Sequence, residues 1–378
     1  MISVEIIEDR ERIKHYYPQW EELFTSRKCE SSLSVEWTEA LLKSHLEEST
    51  VYFVVLKEPR GIAGILPLYL KEITKSGVPL LTLCPVSEHF NTHSDMLVDG
   101  LSPQVVALVL KAIFGMRERW DVFRMNRLVD GNPLLSNIEN TLRSSFAYKF
   151  EIQTAEPSFF IQLGDNYNEY VNARSSKLRY QLRHASKRLH CMGALRFTSE
   201  QKVEEFDEVF ETVLSIERAS WKHKNGTGIA STDKQRRFYR ELCEREFKKG
   251  RLRFWLLHVN STPIAYEVGI VKDKTYYSVH GSYDDAFKRE SPGSLLFARV
   301  IEDLIHLGIR ELDFFGEPFE WQQHWTDDIR WHRSLLIYNN TQKARLFYLY
   351  NRLKGISNFR KGDELVLRNP HEIKPQQT

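Results

Sequence analysis

Cysteine is scarce in this chain. Cys29, Cys84, Cys191 and Cys243 are scattered, with no Cys-x-x-Cys pair and no Cys/His ligand spacing, which argues against a disulfide framework and a structural zinc. A charge excess is missing too. With 53 Lys and Arg against 51 Asp and Glu the net charge is +2, so any site for a polyanion must be local. No apolar run approaches the ~18 residues of a membrane span, and the opening MISVEIIEDRERIKHYY lacks the apolar core of a secretion signal. These absences lead us to expect a soluble, cytoplasmic protein with no membrane span. What is present is length and aromatics. The 378 residues suit two domains of ordinary size, and the 12% aromatic content suits thick cores.

The first half mixes strands and helices. ISVEII reads as a strand, followed by helices around Trp20, Leu23 and Phe24 and from Ser34 through Trp37, Leu41, Leu42 and His45. Residues 51–86 alternate β-rich runs with turn signals at Pro59-Arg60-Gly61 and Lys75-Ser76-Gly77, an antiparallel meander. Next come the polar loop SEHFNTHSD, a helix from Ser102, the strand DVFRMNRL, a helix from Pro133 and a strand from Ala147 to Ile152. In the polar loop, His89, Asn91, His93 and Asp95 could hold a metal or a polar substrate. Their spacing matches no standard ligand motif, and a hydrogen-bonded loop is the plainer alternative.

The segment TAEPSFFIQLGDNYNEY restarts the pattern. From Arg174 to Arg196 there are seven Lys or Arg and no carboxylate. Leu178, Leu182, Ala185, Leu189 and Met192 step at helical spacing, with Arg179, Arg183, Lys187 and Arg188 on the other face, which predicts an amphipathic basic helix ending at Gly193. It is either a contact for a polyanion, such as tRNA or the CoA 3′-phosphate, or a solvated face. In the following helix Val203, Phe206, Phe210, Val213, Leu214, Glu217 and Trp221 share one stripe. A carboxylate on such a stripe is paired with a buried base or held at a site with a raised pKa. WKHKNGTGI then reads as a loop able to cap a cleft, and Thr232 with Gln235 as a capping box for a helix closed by Gly250.

LRFWLLHV, PIAYEVGIV and TYYSVHGSY read as three strands, with Glu267 the only charged residue of the second. Alternation in the third predicts Tyr276, Ser278, His280 and Ser282 on one face. His280 could accept the proton of an attacking amine, or be a structural histidine. After Tyr283 a polar loop containing Lys288, Arg289, Ser291, Pro292 and Gly293 leads into a helix through Leu296, Val300, Leu304 and Leu307, stopped by Gly308 before the strand RELDFF. A helix starting on Pro and Gly beside two cations turns free N–H groups toward an anion, which suits the pyrophosphate of CoA. The alternative is an ordinary β-α-β unit with a basic loop.

In that order, SSKLRYQLRHASKRLHCMG, IERASWKHKNGTG, VHGSYDDAFKRESPGSLL and LGIRELDFFGEPFEWQQHW resemble successive motifs of the GNAT-like N-acyltransferases called BioF2-like or CelD-like, relatives of the Fem aminoacyltransferases. The resemblance covers most of the chain and is clearest from Ser158 to Tyr338. It implies an α/β fold of two tandem GNAT-like domains, each a mixed, mostly antiparallel sheet flanked by helices. Residues 1–155 would be a degenerate first copy, 156–340 the catalytic domain and 341–378 a C-terminal helix and tail. It also implies acyl-CoA as co-substrate, with its phosphates on Lys288, Arg289, Ser291, Gly293 and Ser294, and it matches Tyr283-Asp284 to the family's Tyr-Asp pair. Where the family has an aromatic followed by Lys, this chain has Phe319-Glu320, a departure on the acceptor side.

The expected reaction is acyl transfer from acyl-CoA to an amine, of an amino sugar or another envelope-polysaccharide precursor. Direct attack on the thioester needs neither a nucleophilic residue nor a metal. His280 or Glu217 would relay the proton, Asp284 would orient the site, and Trp221, Tyr283 and Trp321 would wall it. Two other readings stay open. One is a Fem-like transferase drawing on aminoacyl-tRNA through the basic helix; the other is a non-catalytic protein that binds CoA or a glycan.

Overall fold

The computed structural model describes residues 2–59, 61–75, 77–90, 92–145, 148–200 and 205–358. Arg60, Ser76, Asn91, Ala147, Val203 and the tail after Asn358, each given a place in the sequence reading, lie outside these residues. In chain order the elements are β1 (Ser3–Ile7), α1 (Tyr17–Ser26), α2 (Val35–Leu42), β2 (Val51–Glu58), β3 (Gly61–Lys75), β4 (Val78–Pro85), β5 (Leu97–Val98), α3 (Pro103–Gly115), β6 (Val122–Val129), α4 (Pro133–Ser145) and β7 (Lys149–Gln162). There follow α5 (Tyr167–Asn172), α6 (Ser176–Met192), β8 (Leu195–Glu200), α7 (Phe206–Arg218), α8 (Trp221–Lys224), α9 (Asp233–Lys248), β9 (Leu252–Val259), β10 (Thr262–Lys272), β11 (Thr275–Tyr283), α10 (Pro292–His306), β12 (Glu311–Asp313), β13 (Ile329–Tyr338) and α11 (Gln342–Asn358). The described chain forms two compact units. The first holds the residues up to Leu42, Leu46–Pro157 and those from Arg330 onward; the second holds Lys43–His45 and Ser158–Ile329.

In the first unit the strands run β1-β2-β3-β4-β6-β13, antiparallel except for the parallel pair β4 and β6. Ser102 caps α3 by accepting from the Val105 N–H at 3.2 Å, with Pro103 in the first turn. The apolar stripes of α3 and α4, including Val106, Leu110, Ile113, Leu134 and Ile138, pack on Val54, Leu68 and Phe123 of the sheet. Full burial of each such side chain contributes about 1.5–3 kcal/mol. The sequence division counts β13 with the second domain, whereas the structure pairs it with β6, Tyr338 opposite Val122. Leu335 and Ile337 of β13 are fully buried in the core of the first unit, and that burial holds the strand there. In the polar loop, His93 is buried with Nδ1 3.2 Å from a Glu30 carboxylate oxygen, and its ring lies 4.5 Å from that of His332.

In the second unit the strands run β8-β9-β10-β11-β12, ending on the last residues of β7. All pairs are antiparallel except β11 with β12, which the helix α10 connects as a β-α-β crossover. Neighbouring residues of β9 show the two layers. Phe254 meets Phe206 of α7 and Phe247 of α9, while the Trp255 indole N–H donates to Asp303 of α10 at 3.1 Å. Helices α7 and α9 therefore cover one face, and α10, packed beside α6, covers the other.

Candidate active site

Glu217 ends the apolar stripe of α7 and is fully buried. On the sheet below, Tyr266 stands opposite Ser282 and Val268 opposite His280, which puts Tyr266, His280 and Ser282 on the face that α7 and α9 cover. The Tyr266 hydroxyl lies 2.5 Å from Glu217 Oε2 and 2.8 Å from His280 Nδ1. Tyr266 also stacks on the His280 ring, and Tyr239 of α9 meets that ring edge-on at 5.4 Å. One phenol thus joins the two candidate proton acceptors.

Burial holds the Glu217 carboxyl above its ordinary range, against the pull of the Lys222 ammonium and the Tyr266 bond. Burial and the Lys222 charge hold His280 well below the ordinary histidine range, so its ring is neutral at pH 7. A bond to the Thr227 backbone favours the protonated ring, so it is one the ring donates. The single N–H of the neutral ring is then used there, and Nδ1 accepts from Tyr266. Tyr266 has one proton to give. With it on His280, the 2.5 Å contact is donated by a protonated Glu217. When Glu217 ionises, Tyr266 turns its proton to the carboxylate. This assignment follows from counting protons along the chain.

A bulge alters the other face. Pairing passes from Val268–His280 to Gly269–Ser278, leaving Val279 as an extra residue. This corrects the expected alternation: Tyr276 and Ser278 lie on the face of Glu267, and only His280 and Ser282 lie on the face of Glu217. The Ser278 and Tyr276 hydroxyls donate to Glu267 Oε1 at 2.6 and 3.2 Å. Burial pushes the Glu267 carboxyl up to about 7, opposed by those bonds and by Lys222. The Lys222 Nζ donates to the Gly281 carbonyl at 2.6 Å, and burial lowers its pKa although both carboxylates attract its charge. Two glycines make room for the acids. A Cβ on Gly228 would sit 1.6 Å from Glu217 Oε1, and one on Gly281 would sit 1.9 Å from Glu267 Oε2.

The expected phosphate loop follows β11 directly. Lys288 and Arg289 are exposed on the turn Asp285–Glu290, and Ser291 adopts the left-handed region at φ 56°, so no side chain caps α10. Gly293 lies against Tyr283, whose Cδ1 is 3.0 Å from where a Cβ would be, and Ser294 Oγ accepts from Gln181 of α6 at 3.4 Å. Asp284 sits at the start of the turn, its carboxylate accepting from the Ala286 N–H at 2.9 Å. Trp321 is 37% exposed and packs edge-on against Phe297 and Phe314. Trp221 opens α8 with the Lys222 Nζ 5.9 Å from its ring. The structure therefore joins Glu217 and His280, puts Lys288–Ser294 at the end of the same strand, and gives Asp284 and Trp321 local partners. Tyr266 and Lys222 are the residues that sequence reasoning missed. Their signal was adjacency alone, Tyr266 beside Glu267 and Lys222 beside Trp221.

Residues 176–323 match the model of the acetyltransferase (GNAT) domain. The chain carries an acyltransferase domain of the GNAT type. The matched residues run from the start of α6 beyond α10, so the GNAT domain contains the whole Glu217–Tyr266–His280 cluster and the Pro292 helix start. No curated protein matches the chain. Among solved structures, FemX is similar at a TM-score of 0.59 and 10% identity, over 91% of this chain and 99% of its own. A conserved protein of unknown function from Bacteroides thetaiotaomicron is similar at 0.58 and 10%, over 89% and 99%. The C-terminal domain of a putative lysylphosphatidylglycerol synthetase from Agrobacterium fabrum is similar at 0.55 and 10%, over 90% and 96%. At these identities the likeness is one of fold alone.

Proposed function

We propose that the GNAT domain moves an acyl group from acyl-CoA to an amine, with Glu217, Tyr266 and His280 working as one proton acceptor. The observation that carries this reading is the Tyr266 hydroxyl, within 2.8 Å of both His280 and Glu217. An ammonium acceptor must lose a proton before its nitrogen can attack the thioester carbonyl. As the C–N bond forms and the C–S bond breaks, CoA leaves as the thiol or thiolate and the amine proton passes to the chain, ending on Glu217. A carboxylate with a raised pKa suits that task near neutral pH. The donor would place its pyrophosphate at the Gly293 and Ser294 N–H groups beside Lys288 and Arg289. Among the described residues β12 pairs with β11 over Thr275–Tyr277 alone, so the β11 edge beyond Tyr277, apart from the Gly281 carbonyl that Lys222 takes, would receive an extended acyl-pantetheine arm. The acceptor class, an amino sugar or another envelope-polysaccharide precursor, rests on the BioF2-like resemblance.

The test is turnover of acetyl-CoA against a panel of amines, read by release of the CoA thiol. Glu217→Gln, His280→Gln and Tyr266→Phe should each lower kcat by about 10²–10⁴-fold with CoA affinity retained in calorimetry. Because the three act as one unit, Glu217→Gln/His280→Gln should be little worse than either single variant. Losses that multiply in the double variant would refute the shared chain.

A further inference from the structure

α11 is apolar on two sides. Ala344, Phe347 and Tyr348 pack on Val122, Leu336 and Tyr338. Leu346, Leu349 and Leu353 are 61, 57 and 70% exposed. Steps of three and four residues align these leucines in one stripe, on the side away from the packed residues. At about 100° per residue, Lys343 falls on one flank of the stripe and Arg345 and Arg352 on the other. All three cations are exposed. From Ile329 to Gly362 the chain has eight Lys or Arg and no Asp or Glu. A leucine stripe edged by cations, in an acid-free stretch of a chain whose net charge is only +2, is a local device.

We propose that this face of α11 docks on the surface of an anionic bilayer. The leucines enter the boundary between headgroups and acyl chains, and the long Lys and Arg side chains rise beside them to lipid phosphates. A second copy is a poor occupant, because pairing two such stripes would line cation against cation along both edges.

The full-length protein is sedimented with vesicles of phosphatidylcholine and phosphatidylglycerol in equal parts, and with vesicles of phosphatidylcholine alone. Binding is expected to the mixed vesicles only, and to weaken as salt rises. At roughly fivefold per cation, Arg345→Gln/Arg352→Gln should bind about 25-fold more weakly. Leu349→Ser/Leu353→Ser should lose binding, while both double variants keep the parental melting temperature and acetyl-CoA turnover. The proposal is overturned if the full chain ignores mixed vesicles at low salt, or if the leucine variant binds them as the parent does. It is equally overturned if a parental dimer dissociates in the leucine variant, which would assign the stripe to a second copy. Binding that appears only after removal of residues 359–378 would assign the stripe to the tail, and also overturns it.

Discussion

Gly228→Ala tests whether Glu217 is held where the proton chain needs it. The new Cβ would lie 1.6 Å from Glu217 Oε1, and ordinary contact begins near 3.4 Å, so something must yield by 3.4 − 1.6 = 1.8 Å. The three nearest heavy atoms all belong to Glu217, and Gly228 is tied by its N–H to Ser231 Oγ at 2.9 Å. If the carboxylate yields, its 2.5 Å bond to Tyr266 breaks. Overpacking of this kind costs about 1–3 kcal/mol, and a catalytic group displaced by an ångström loses about 10²-fold in rate. Urea unfolding and acetyl-CoA turnover read the two effects. In a Glu217→Ala background the added methyl meets none of those atoms, so its cost should fall to within about 0.5 kcal/mol of zero. An equal cost of Gly228→Ala in both backgrounds would refute the contact, and parental turnover in the single variant would remove Glu217 from the chemistry.

Glu267 gives a pH signature. Its folded carboxyl titrates at about 7 against an ordinary 4.5, so between these values the folded state binds more protons than the unfolded state. Stability should therefore fall by about 3 kcal/mol as pH rises through that window, and Glu267→Gln should flatten urea midpoints across it. Lys222→Met removes the charge that lowers the Glu217 pKa, so the acid limb of the pH–rate profile should move to higher pH, with Lys222→Arg restoring it; an unmoved limb would detach Lys222 from the proton acceptor. In the phosphate loop, Arg289→Ala should weaken CoA binding by about 1.5–3 kcal/mol, and Gly293→Val, already tight against Tyr283, should abolish it in calorimetry. Parental affinity in both would place the CoA phosphates elsewhere.

The elements of the second unit were set by local pattern. β-rich runs between turn residues marked β9 and β11 to the residue, and helical spacing marked the buried stripe Leu178, Leu182, Ala185 and Leu189 of α6. Thr232 caps α9 through the Gln235 N–H at 3.1 Å, as its spacing implied. Met192, at the end of the same α6 stripe, is instead 49% exposed, because the helix stops at Gly193 and the last side chain runs past its packing partners. The site itself needed the tertiary fold. Tyr266 meets Glu217 across a sequence separation of 49, and no local pattern records which phenol lies under which carboxylate. The extra residue at Val279 leaves no mark in a strand of alternating side chains, yet it parts His280 from Ser278 because a one-residue shift reverses every later side chain. The room for Glu217 and Glu267 comes from Gly228 and Gly281, which lie on other segments. Helices are legible in the sequence because their hydrogen bonds close within four residues, and strands because turn residues bound their β-rich runs; the proposed proton acceptor is made of contacts that exist only once distant segments pack.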